Sequence, residues 1–263
     1  MPVGPARMPL LDHLSELRRR ITIMVVCVLV TSLVVYVATP TLIDMLIDPV
    51  REFLPDGGKL YVTTVLGGFT LRFKVSVFFA VIVCSPILIF QALGFFMPAL
   101  TPREQRWVAP TVGALVFLFF FGMAFCYLFI LNATFGWMLG QSTDFAALLP
   151  TAEDYVNIII ALELGFGAAF ELPLVVFYLS IFHLVPYKTF RSGWRGIYVG
   201  LLVGSAMVTP DASPVTMFLM FAAVVALYEI ALVIARRVIV SRDGKEALKW
   251  SRDEYAEHKL DEE

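Results

Sequence analysis

Five glutamates stand in places where a carboxylate calls for a reason. Glu16 lies in LDHLSELRRR, Leu11 to Arg20, directly ahead of eighteen uncharged residues, ITIMVVCVLVTSLVVYVA. Glu104 lies in GFFMPALTPREQRW, Gly94 to Trp107, between Arg103 and Arg106. Glu163 and Glu171 fall inside one long apolar run, and Glu229 falls inside another. Two kinds of chemistry suit these placements. A pair of surface carboxylates can grip guanidinium groups through bidentate hydrogen bonds, which are strong and select arginine over lysine. An acid at hydrocarbon depth costs several kcal/mol unless it is paired, hydrated or neutralised, so its presence there marks a functional position by default. Enzyme chemistry has less to stand on. The chain has no HExxH, no GxSxG and no Gly-rich phosphate loop, and His13, His183 and His258 all fall at cytoplasmic or interfacial positions.

Each acid also has a plainer reading. Glu16 precedes Arg20 by four residues, a favourable helical pair, and Leu10, Leu14, Leu17 and Ile21 recur on one helical face. With Asp12 as N-cap, the segment predicts a short amphipathic helix on the cytoplasmic surface that feeds the first span. Glu16 then either balances the arginines or presents an acid to a ligand. The loop around Glu104 reads either as an ordinary turn, stiffened by Pro98 and Pro102, or as the second half of an acidic site with Glu16. Spacing alone does not bring the two together. In FGAAFELP, Pro173 frees the carbonyl near Ala169, so a kink is expected beside Glu171. Glu163 lies two turns earlier and faces either the same polar cavity or the outer interface, while Glu229 lies close enough to Arg236 to snorkel and reads as structural.

The elements that must position these groups are membrane helices. The chain is 59% hydrophobic and only 16% charged, beyond what soluble domains show. A helix crossing the hydrocarbon core needs roughly 20 apolar residues. Five runs meet or approach that length: Ile21–Ala38, Val75–Phe96, Trp107–Leu131, Tyr155–Phe182 and Pro214–Ala235. Gly196–Val208 is too short to cross the core unaided, and forms a hairpin with the last run through a turn at Thr209–Ser213. Long uniform runs exclude a barrel. The reading is all-α with six transmembrane helices over residues 1–240, a charged cytoplasmic tail over 241–263, and a concave, partly hydrated face beside the long fourth and short fifth helices. Sixteen Lys and Arg flank one side of the spans and four the other, which predicts both termini in the cytoplasm. The first run reads as a retained helix, since no small-x-small cleavage site follows it and five apolar segments do. Cys27, Cys84 and Cys126 all sit within apolar runs and read as packing residues outside any disulfide framework.

HLSELRRR, FMPALTPREQR and FGAAFELP, in that order across nearly the whole chain, resemble the TatC family, the largest integral subunit of the twin-arginine protein translocase. The resemblance implies a receptor for twin-arginine signal peptides of folded cargo, multi-pass in the cytoplasmic membrane of a prokaryote. Its partners would be TatA- and TatB-type single-span subunits, further TatC copies and the bilayer, with no nucleic acid. Export would draw on the proton-motive force, with no cofactor and no metal. Carried over position by position, Glu16, Leu17, Arg18, Phe95, Pro98 and Glu104 would form the signal-peptide site. Glu171 and Pro173 would serve an intramembrane partner contact, and Pro49 and Asp211 would lie in external loops. One stretch departs: the family's TPPD and following Gln are here MVTPDASPVT, so Asp211 is carried without its second proline and no Gln is carried.

A proton- or ion-coupled secondary transporter is the rival reading, with Glu171 and Glu163 as relay and Pro173 as the break in a discontinuous helix. The two halves show no internal repeat to support it.

Overall fold

The computed structural model describes residues 10–54, 60–96, 108–141, 151–210, 213–251, 253–254 and 257–258. These form α1 (Leu10–Val35), α2 (Thr39–Ile47), α3 (Gly67–Phe96), α4 (Val108–Phe125), α5 (Leu131–Gly140), α6 (Ala152–Ala169), α7 (Leu172–Ile181), α8 (Tyr187–Ser192), α9 (Trp194–Val208) and α10 (Pro214–Asp243). A π-type stretch, Cys126–Ile130, joins α4 to α5 as one long helix. Five helical stretches are long and apolar enough to cross a membrane, and α9 is the short sixth. The six-helix, all-α reading therefore stands.

Several boundaries differ from the sequence expectation, each for a local reason. The opening segment is no separate surface helix: α1 runs unbroken from Leu10 to Val35, so Asp12 sits inside it rather than capping it. No Gly or Pro interrupts Leu10–Val35, and Glu16–Arg20 supports continuity across the boundary. The first span then continues through a 3₁₀ turn (Tyr36–Ala38), α2 and a second 3₁₀ stretch (Asp48–Phe53), with Pro40 and Pro49 each in a first turn that tolerates proline. The third span reaches Gly140 rather than Leu131, and α10 reaches Asp243 rather than Ala235. The fourth span breaks as Pro173 predicts. Helix α6 ends at Ala169, α7 begins at Leu172, and Glu171 occupies the N-cap position between them.

The chain divides into two compact units, Met1–Phe117 with Thr143–Ile160, and Leu118–Ser142 with Ala161–Glu263. In the first, α1 lies along α3, and Leu46, Ile47, Val50, Leu71, Val75 and Phe78 are buried. Tyr155 donates its hydroxyl to the Phe53 carbonyl at 3.1 Å, and Lys74 pairs with Glu153. The Sγ atoms of Cys27 and Cys84 lie 3.2 Å apart as free thiols, packing α1 on α3. In the second unit, Phe125, Phe166 and Phe170 pack as tilted rings with centroids 5.6–6.3 Å apart. A Cβ at Gly122 would lie 2.7 Å from the Phe166 carbonyl and 2.9 Å from the Phe170 ring, so only glycine allows α4 this close to the fourth span. Helix α9 ends at Val208 with Thr209 in extended backbone, and the start of α10 is capped by the Ser213 side chain, which accepts from the Thr216 N–H. The turn expected at Thr209–Ser213 lies partly outside the described residues.

Candidate functional site

The first candidate site is built on α1 and α3. Glu16 is half-buried at the start of the first span, where the arginine cluster meets the apolar run. Arg20, one turn on, donates from Nε at 3.0 Å and from Nη2 at 2.6 Å, both to Glu16 Oε1. Its remaining nitrogen, Nη1, reaches across to α3 and donates to Gln91 Oε1 at 3.0 Å. Gly94, one turn below Gln91, leaves room for this: a Cβ there would meet the Arg20 guanidinium. The guanidinium thus ties the two helices at the level of Glu16. Leu17 is half-buried, Arg18 is exposed, and Phe95 is half-buried on the turn of α3 that follows Gln91. Pro98 and Glu104 lie outside the described residues, as does Asp211. Pro49 is half-buried in the 3₁₀ stretch that follows α2. Sequence reasoning found the Glu16–Arg20 pair from its spacing. It missed Gln91, an uncharged residue in an apolar run, although a lone amide in such a run is the signal that marks it.

The intramembrane site lies in the second unit. Glu163 is 4% exposed, and its Oε1 has no hydrogen-bond partner among the described residues. Glu171 is half-buried at the break, and Pro173 behind it is buried. Beside the break lies a cavity of about 250 Å³ bounded by Ala168, Leu172, Gly200, Gly204, Val208 and Met220. The concave face expected beside the fourth and fifth helices is therefore present, but its lining is almost wholly apolar rather than hydrated. Glu229 is structural, as expected, yet it does not snorkel to its own helix's arginines. It accepts from Arg191 at 2.8 and 3.0 Å and from the Tyr198 hydroxyl at 2.7 Å, which ties α10 to α8 and α9.

A second polar cluster escaped the sequence reading. His183, at φ +52°, is 1% exposed just beyond α7. Its Nε2 lies 3.7 Å from Asp243 Oδ2, and Asp243 also takes Arg242 Nε at 2.6 Å. Arg242 donates to the Ile181 carbonyl at 2.9 Å. Burial first, and then the Arg242 charge, hold the imidazole below its ordinary range, with Asp243 opposing them. Over this cluster a 3₁₀ turn, Glu246–Lys249, folds back and buries Ala247 against Ile181, Ala235 and Ile239. The fold-back was illegible because it pairs a lone histidine with charges sixty residues away.

Comparison with known proteins decides between the readings. Residues 12–222 match the model of TatC, the Sec-independent protein translocase protein. The chain belongs to the TatC family. It is 35% identical over 244 residues to the Sec-independent protein translocase protein TatC of Frankia casuarinae, covering 88% of this chain and 66% of that one. It is 29% identical to the TatC of Deinococcus radiodurans, covering 92% of both. Among solved structures, the crystal structure of the twin-arginine translocase receptor TatC superposes with a TM-score of 0.71 at 26% identity, covering 86% of this chain and 98% of that one. This TatC-family chain is thus a multi-pass membrane component of a Sec-independent protein translocase, and the comparisons lend no support to the solute-transporter reading.

Proposed function

We propose that this protein recognises twin-arginine signal peptides on its cytoplasmic face and helps to export the folded proteins that carry them. The family match supports the function, and one structural observation supports the site: Glu16 is a partly exposed carboxylate whose partner Arg20 reaches Gln91 on α3, one helical turn before Phe95. A guanidinium arriving from the cytoplasm meets an acid there, with half-buried Leu17 and Phe95 as apolar neighbours for the residues that follow it. Arg18 belongs to the same rim, and the family motif assigns Pro98 and Glu104, outside the described residues, to the same site. Both termini lie in the cytoplasm, on the side that carries sixteen of the twenty Lys and Arg residues. Pro49 lies on the opposite side, to which the family resemblance assigns Asp211 as well.

The signal's apolar segment then moves along the spans, and TatA- and TatB-type helices assemble with this chain. Glu171 and Pro173 serve that contact. The break places a carboxyl at the N-cap of α7, beside an apolar cavity that offers a partner helix room. As the family resemblance implies, the proton-motive force drives the cycle.

The test compares a twin-arginine signal peptide with its twin-lysine version on the purified full-length protein, wild type and Glu16→Ala/Glu104→Ala. The arginine peptide is expected to bind at least about tenfold tighter, because one good bidentate contact is worth about 1.5–3 kcal/mol. That preference should vanish in the double variant. Equal binding of both peptides by the wild type would sink the receptor assignment.

A further inference from the structure

The carboxylate proposed to receive the signal's arginines already holds an arginine of its own chain. We propose that Arg20 is an internal stand-in for the ligand: its guanidinium occupies Glu16 and competes with the signal peptide for that acid. The inference rests on the receptor reading of Glu16 and assigns that site a built-in competitor.

Four features of the contact support a competitor over a fixed structural tie. Both bonds from Arg20 converge on one oxygen, Oε1, so the guanidinium does not engage the carboxylate with one N–H on each oxygen. That two-oxygen fork is the stronger arrangement, and an incoming arginine can adopt it. Second, Arg20 has somewhere to go. Nη1 already donates to Gln91 Oε1 at 3.0 Å and lies 3.5 Å from the Gln91 main-chain oxygen, so a guanidinium that leaves Glu16 keeps hydrogen bonds on α3. Third, Gly94 leaves the space beside the guanidinium free of a side chain, so movement toward α3 meets no Cβ. Fourth, the Arg20 and Glu16 side chains are 20% and 24% exposed, so water reaches the pair and exchange needs no buried charge to be stranded.

The consequence is a threshold. A partly exposed ion pair of this kind weakens a competing ligand by a modest factor, on the order of two- to fivefold. A single guanidinium or an ammonium gains little by replacing Arg20, whereas a ligand that adds a fork at Glu16 to a second contact nearby does. Neighbouring Arg19, exposed on the same helix, carries the same charge and has no hydrogen bond to Glu16 among the described residues. It is therefore the internal control for bulk electrostatics.

The experiment measures the Kd of a fluorescent twin-arginine signal peptide for the full-length protein in nanodiscs. Arg20→Met keeps the aliphatic stem and removes the competitor, and should tighten binding about two- to fivefold, against less than about twofold for Arg19→Met. In a Glu16→Gln background the gain from Arg20→Met should disappear, because the competition is for that carboxylate. Weaker binding by Arg20→Met, with its thermal midpoint near wild type, would overturn the proposal and make Arg20 a clamp that positions Glu16. Arg20→Lys keeps the charge and protects against misfolding as an explanation. It should bind about two- to threefold tighter than wild type, since an ammonium lacks the fork that reaches Glu16 and Gln91 together, and weaker binding overturns the proposal equally. If Glu16→Gln alone leaves binding unchanged, the receptor reading of Glu16 fails and takes this inference with it. If Glu16→Gln weakens binding and Arg20→Met weakens it too, only the stand-in fails.

Discussion

Glu16 and Glu163 are the same side chain in two different settings. Glu16 sits at a helix end, a quarter exposed, with a guanidinium one turn away and an amide on the neighbouring helix to share it. Glu163 is 4% exposed in the middle of α6, and Oε1 finds no partner among the described residues. The reason is compositional as much as geometric. No lysine or arginine lies within residues 118–140, 196–209 or 214–235, the apolar stretches of the same unit. Glu229 confirms the rule from the other direction, since it is paired only because α8 brings Arg191 to it from outside the apolar run. A carboxylate near the boundary can be matched by charges that the positive-inside bias already supplies, and one deep in a span cannot.

The largest effect should come from reversing the deep charge. Glu163→Lys places a cation where no acid is paired to receive it, and should cost about 3 kcal/mol or more. Glu163→Leu should be neutral or stabilising by about 1–2 kcal/mol, because an apolar side chain of similar size needs no partner. Denaturation in mixed micelles reads both. A loss in the leucine variant as large as in the lysine variant would mean that Glu163 holds a structural hydrogen bond. The contrast with Glu16 would then collapse.

The packing that keeps Glu163 dry can be loosened without touching it. Gly122→Ala drives a methyl into the Phe166 carbonyl and the Phe170 ring, both rigidly held. Overpacking of this kind costs about 1–3 kcal/mol. Nothing in the region of Glu16 depends on so close an approach of backbones, so Gly94→Ala should cost less, since the atom it meets is the end of a flexible arginine. Equal losses at the two glycines would show that Arg20 is fixed more firmly than its exposure implies.

How much of this was readable in the chain follows the same contrast. The spans, their number and the break at Glu171 were legible, because apolar run length and Pro173 act locally. So was Glu16–Arg20, which is a spacing. What was not legible needed partners from distant sequence: Gln91 beneath Arg20, Arg191 and Tyr198 around Glu229, Asp243 beside His183. The opening segment was misjudged as a separate surface helix because its change from charged to apolar looks like a boundary, while nothing in Leu10–Val35 breaks the backbone. The family motifs suggest roles for Glu104 and Asp211 that composition alone leaves unassigned.

His183 offers a case between the two glutamates: deeply buried like Glu163, but beside an ion pair. Its folded value is depressed from 6.5, chiefly by burial and by Arg242. Above that pH the imidazole is neutral in both the folded and the unfolded chain, and full stability is present. As pH falls below 6.5, the unfolded chain takes up the proton first, so stability is lost through the window down to the folded value. Packing of the Glu246–Lys249 turn should weaken on acidification, read as rising hydrogen exchange over residues 244–250. His183→Gln should flatten that dependence. A tail that tightens on acidification would mean that Asp243 outweighs burial and Arg242 together.

The smallest stability effect should come from Glu16 itself, and that is what sharpens the comparison. An ion pair a fifth to a quarter exposed is worth no more than about 1 kcal/mol, and Arg20 keeps Gln91 when the carboxylate is gone. Glu16→Gln should therefore shift the denaturation midpoint by little, while twin-arginine peptide binding falls by about tenfold or more, the worth of one charge-assisted fork. A helix-end acid kept for recognition shows this separation of stability from binding, and an acid kept for the fold does not. If Glu16→Gln destabilises the protein by as much as Gly122→Ala while binding scales only with the folded fraction, then Glu16 belongs with Glu229 as a structural acid.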